Sequence, residues 1–180
     1  MKKVLILFFM FLLVVGCNLS NTPSSKVEMY LDGLNNLNDD VILDIESKVS
    51  TENLTNDNKE LYKEALKRQY QDLKYEVKEE SINGDDAFVI AKISVYDFHK
   101  EEINSVNYMN EHTDEFSDVN GVFDNSLFNT YRLNKLNETK NKIDYEVKFE
   151  LNKKNGEWVL QNPEKEVLEK INGFYDYDNN

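Results

Sequence analysis

Two hydrophobic periods alternate along this chain. Val27, Tyr30, Leu31, Leu34 and Leu37 recur at the three-and-four spacing of one helical face, behind a Ser25/Glu28 pair at capping-box spacing. Asn38 is placed to cap a second short helix carrying Val41, Ile42, Ile45 and Val49. Asp57 with Glu60 opens a third, whose apolar face runs Leu61, Tyr62, Ala65, Leu66, Tyr70 and Leu73. The period then drops to two. Leu73, Tyr75 and Val77 alternate with Lys74, Glu76 and Lys78, the signature of a half-buried strand. Asn83-Gly84-Asp85 reads as a turn, and 87–98 as a second strand. Its first half is apolar on both faces, which predicts a central position in the sheet.

Residues 99–140 carry weaker patterns. Ile103, Val106 and Met109 suggest one helix, 118–121 a loop, and Phe123, Leu127, Phe128 and Tyr131 another helix. Ile143, Tyr145, Val147, Phe149 and Leu151 then alternate cleanly with polar residues. Asn155-Gly156 predicts a hairpin turn, because both positions tolerate positive φ. Trp158 packs from the returning strand, Pro163 starts a last helix through Val167, Leu168 and Ile171, Gly173 ends it, and 176–180 is expected to fray. Three helices, two strands, a helical insert, two strands and a helix make an α+β domain with N-terminal helices packed on an antiparallel sheet.

Ahead of this pattern stands a different one. Met1-Lys2-Lys3 is a short basic start, and 4–15 is uninterrupted apolar sequence ending at Gly16 and Cys17. A membrane-spanning helix needs about 20 apolar residues, so the run fits a secretory signal better than a span. Val14-Val15-Gly16-Cys17 resembles a bacterial lipobox, with Val in place of the commoner Leu at its first position. The resemblance implies cleavage after Gly16 and a diacylglycerol on the Cys17 thiol, which becomes the new N-terminus. The expected organisation is a signal peptide at 1–16, a lipidated Cys and tether at 17–24, and one α+β domain at 25–180. Cys17 is also the only cysteine, so it has no partner for an internal disulfide.

Charge removes whole classes of partner. The formal net charge is −13, with Lys2 and Lys3 inside the leader. Phosphate backbones demand a basic surface, so no nucleic acid is expected as a partner. Anionic lipid likewise needs clustered Lys and Arg, so membrane attachment is expected through the Cys17 lipid. The ten Tyr, ten Phe and one Trp separate the chain from disordered acidic sequences.

Candidate chemistry is sparse. His99 and His112 lie too far apart for a metal pair on one helix face, and carboxylates near them are expected in so acidic a chain. Asp114, Asp118, Asn120, Gly121 and Asp124 form the densest acidic loop. An EF-hand register placing Gly121 sixth puts Phe116 and Leu127 where carboxylates are required, so the pattern fails. No nucleophile elbow or phosphate-cradling loop occurs, and Tyr75, Tyr96, Tyr145 and Trp158 read as core packing before they read as a pocket lining. No catalytic residue, metal or cofactor is therefore expected.

The early helices, the strand pair after Leu73 and the Asn155-Gly156-Glu157-Trp158-Val159 hairpin together resemble NTF2-like, or cystatin-like, domains found in small bacterial lipoproteins. That resemblance implies a curved sheet wrapped on helices with a pocket at its mouth, and no particular activity. The function expected is a lipid-anchored, extracytoplasmic, non-catalytic binding or accessory module of the cell envelope. Its partner would be an envelope protein, a peptide or a small ligand. An NTF2-like pocket enzyme and a structural surface lipoprotein stand as alternatives.

Overall fold

The computed structural model describes residues 21–179. Gly16 and Cys17, the expected cleavage and lipid sites, lie outside the described residues. The elements follow the order α1 (Pro23–Asn35), α2 (Asp39–Thr51), α3 (Asn56–Gln71), β1 (Lys74–Asn83), β2 (Asp86–Tyr96), α4 (Phe98–Glu111), α5 (Asn125–Glu138), β3 (Lys142–Lys154), β4 (Glu157–Leu160) and α6 (Lys165–Asn172), with a short 3-10 turn at Thr113–Phe116. The fold is α+β, built on an open, curved antiparallel sheet of order β1-β2-β3-β4. The layout is that described for NTF2-like and cystatin-like domains, with α4 and α5 inserted between the strand pairs.

Local chemistry moves two helix starts from their expected places. Thr22, not Ser25, caps α1: its hydroxyl accepts the Ser25 amide at 3.1 Å, while the Ser25 hydroxyl accepts the Thr22 amide at 3.0 Å. Pro23 fills the first helical position, where its fixed φ is an advantage and its missing N–H is no loss. Thr55 caps α3 by accepting the Asn58 amide, two residues ahead of the expected Asp57 cap. The segment 21–24 is therefore part of the folded body. Asn21 ties it to the β3–β4 hairpin, donating to the Gly156 carbonyl at 3.2 Å and accepting the Trp158 amide at 3.0 Å.

A bulge between Val77 and Glu79 sets what β1 offers to the helices. Tyr75 and Val77 pair with Ile93 and Ala91, but beyond the bulge Glu80 and Ile82 take the corresponding places opposite Val89 and Ala87. Glu80 thus reaches the start of α1 and accepts the Ser24 amide at 2.8 Å and the Ser24 hydroxyl at 2.6 Å. A carboxylate at a helix N-terminus meets both free N–H groups and the positive end of the helix dipole.

The main core lies between the sheet and the helices. Ala87, Val89, Ala91, Ile93 and Val95 of β2 and Val147, Phe149 and Leu151 of β3 meet Val27 and Leu31 of α1, Leu66 and Tyr70 of α3, and Val167 and Ile171 of α6. A second cluster, Ala65, Tyr96, Phe98, Leu133 and Leu136, joins α3 to the insert. Gln69 links the two. It is fully buried, accepts the Tyr96 amide at 2.9 Å, and donates to the carbonyls of Tyr96 and Ile171 at 3.2 and 3.3 Å. Gly173 ends α6 with φ +78°, and a Cβ there would overlap Gln69 Nε2 and the Tyr96 carbonyl oxygen.

The C-terminal segment packs instead of fraying. Phe174 sits against Tyr62 and Phe98, Tyr175 meets the edge of Tyr145, and the Tyr177 hydroxyl donates to Asp97 at 3.1 Å. Three aromatic side chains supply the burial that fixes this segment, offsetting the polarity of its last residues.

Candidate functional site

The side of the sheet turned away from the helices is the first candidate. Phe88 and Ile90 of β2 project there between Ser81 and Glu79 of β1 and Glu150 and Lys148 of β3. Lys148 lies over the Phe88 ring and bonds Glu150 at 2.8 Å. Further along, Lys92 pairs with Asp144 at 2.7 Å, and this bond holds the Asp144 carboxyl below its ordinary range. An open groove of about 430 Å³ runs over Phe88, Asn83, Asn152 and Gln161. Phe88 lies there among polar side chains and charges of both signs from Asp86, Lys148 and Glu150, a mixed surface of the kind that protein contacts use.

The second candidate is at the docked C-terminus. Asp97 is buried, caps α4 through the Lys100 amide at 3.1 Å, and holds the Tyr177 hydroxyl. Burial and that bond to Asp97 push the Tyr177 hydroxyl up to about 12. His99 follows two residues later, its side chain 15% exposed and its ring edge-on to Tyr177 at 4.9 Å. Its Nε2 lies 3.5 Å from Asp176 Oδ1 and 3.3 Å from Asp178 Oδ2. The Asn179 side chain donates to Asp176 at 2.8 Å, which draws that carboxyl below its ordinary value. The Tyr145 hydroxyl is buried without a partner, and burial followed by the nearby Asp97 charge raises it well above the usual phenol range.

The other expected residues are placed apart from one another. His112 stacks on Tyr108 at 4.2 Å and faces Glu115, on the far end of α4 from His99. Near His99, Glu101 bonds Thr139 and Asn141, and Glu102 pairs with Arg132 at 2.6 Å. Asp118 accepts the amides of Asn120 and Val122, which lower its carboxyl, while Asp124 caps α5. The backbone thus employs two carboxylates of the acidic loop, and Gly121 supplies the positive φ of its turn.

The four strand aromatics do not converge. Tyr75 and Tyr145 flank Ile93 across the sheet, with Tyr75 bonded to Asp32 at 2.6 Å. Tyr96 bonds Asp72 at 2.6 Å beneath the Arg68 guanidinium, and Trp158 is buried at the opposite end of the sheet under Lys153. The grouping of His99 with Asp176 and Asp178 was beyond the reach of local spacing, because the residues meet only when the C-terminus docks.

Comparison with protein-family models, with curated proteins and with solved structures finds no match.

Proposed function

We propose that this chain is a lipid-anchored extracytoplasmic binding or accessory module, held by Cys17 and presenting the open side of its sheet to an envelope partner. The observation that carries this reading is the sequence Met1–Cys17: a basic start, a short apolar run and the Val-Val-Gly-Cys ending. The described residues support it: Asn21 is held on the domain, and only three residues lie between it and Cys17, so the two stand at most ~14 Å apart. Asn21 is bonded to the β3–β4 turn, so Lys153 and Lys154 lie at the end of the sheet that a lipid on Cys17 would hold nearest the bilayer. The Phe88–Ile90 strip is then available for contact. An NTF2-like pocket enzyme would need the space between sheet and helices, and here Tyr30, Leu31, Tyr70 and Phe149 occupy it.

Intact-mass spectrometry of protein from native membranes, beside a Cys17→Ala variant, tests the anchor. The expected result is a chain starting at an acylated Cys17, with the variant released from the membrane. An unmodified Cys17 or a retained leader would remove the proposal. A photo-crosslinker at position 88 tests the contact surface: a specific envelope adduct, lost when Ile90 is changed to Glu, is expected.

A further inference from the structure

The geometry points to a divalent-cation site formed by His99 Nε2 and the carboxylates of Asp176 and Asp178. These donors come from the start of α4 and from the C-terminal segment, and one ligand atom from each lies within 4.8 Å of the others. The segment is docked by contacts outside the cluster: Phe174 on Phe98, Tyr175 on Tyr145, and Tyr177 on Asp97. The donors are therefore brought together by packing, ahead of any ion.

One feature of the geometry favours an ion over a simple His–Asp pair. Two carboxylate oxygens converge on the same ring nitrogen. An imidazole nitrogen carries one proton or one lone pair, so it serves one direct partner well, whereas a cation serves all three donors at once. The separations leave room for one: donors bound at ~2.1 Å around a tetrahedral ion stand ~3.4 Å apart, and His99 Nε2 lies 3.3 and 3.5 Å from the two carboxylate oxygens. Asn179 and the Tyr177 ring provide the surrounding contacts that orient the Asp176 carboxylate and the His99 imidazole.

One imidazole and two carboxylates select a first-row divalent ion such as Zn²⁺ or Mn²⁺. Ca²⁺ and Mg²⁺ prefer oxygen throughout. Three protein donors leave at least one coordination position for water or an external oxygen ligand. The ion would clasp the C-terminal segment onto α4. This site does not depend on the Cys17 anchor.

Zn²⁺ titration of the detergent-solubilised full chain against a chromophoric chelator tests it, with Co²⁺ absorption reporting the donor set. One Zn²⁺ per chain is expected, weakened at least ~10-fold in Asp178→Asn, abolished in His99→Ala and unchanged in His112→Ala. Asp178→Asn preserves side-chain size and keeps the test valid if His99→Ala misfolds. In the unaltered chain, Zn²⁺ should slow hydrogen exchange across 174–179. Absence of stoichiometric binding, binding insensitive to Asp178→Asn, or a preference for Ca²⁺ would overturn the site.

Discussion

Replacing Gln69 with Leu should destabilise the domain by about 3 kcal/mol, although the two side chains are similar in size. Gln69 is fully buried and serves three backbone groups: the Tyr96 amide, the Tyr96 carbonyl and the Ile171 carbonyl. Leu leaves all three without that partner. The stranded Tyr96 N–H alone costs about 1–3 kcal/mol, and each lost bond to a carbonyl about 1 kcal/mol. The extra apolar burial of Leu returns about 1 kcal/mol, which leaves the net near 3. Against a total stability of about 5–15 kcal/mol this is a large share. At ~3 °C per kcal/mol for a domain of this size, Tm should fall by ~9 °C. Urea unfolding at constant m-value, with the Tyr96 amide followed by hydrogen exchange, measures it. A change below ~1 kcal/mol, or a Tyr96 amide as protected as before, would refute the reasoning that Gln69 acts as a substitute strand partner.

Two further outcomes follow from buried hydroxyls. Tyr145→Phe should be neutral or slightly stabilising, because the hydroxyl it removes is buried without a partner, whereas Tyr70→Phe should cost ~1–2 kcal/mol through its bonds to Lys48 and Asn172; thermal unfolding of the pair separates them. Tyr30 and Tyr62 are raised to about 12 chiefly by burial, and Tyr177 to about 12 by burial and its bond to Asp97. The folded protein holds these protons more tightly than the unfolded chain, so their stabilisation is complete below about pH 10 and is lost as pH climbs through about 12. Phenolate absorbance should rise together with unfolding across that window; a folded chain titrating all its tyrosines near 10 would contradict it.

How much of this was legible depends on the distance over which each feature is decided. β3 was plain because one face is buried along its length, so every second residue had to be apolar. The Asn155-Gly156 turn was equally plain, and both residues adopt positive φ. The helix at Ile103, Val106 and Met109 exists, but Ile103 and Val106 face solvent; α4 buries Phe98 and Ser105 and is started by the Asp97 cap. The start of α1 was written in Thr22, Pro23 and Ser25, yet those residue types also compose linkers, and only the grip of Asn21 on the hairpin decides between the two. Least legible was the surrounding of His99. Its partners arrive from the far end of the chain, and the aromatic residues at 174, 175 and 177 were the one local hint that this end would dock.

The insert between β2 and β3 has a consequence for how the domain assembles. Each outer strand pair is joined by a tight turn and can form on its own, but the central seam cannot. Tyr96 meets Lys142 only after the whole segment from Asp97 to Asn141 has been looped out. Closing that loop costs about 3 kcal/mol more chain entropy than a tight turn. The seam carries the longest register in the sheet, running from Asp86–Asn152 to Tyr96–Lys142. Folding should therefore be limited by the docking of two preformed hairpins, with α4 and α5 condensing against α3 to shorten the gap. The same topology makes the β3–β4 hairpin the unit that two copies could exchange at high protein concentration.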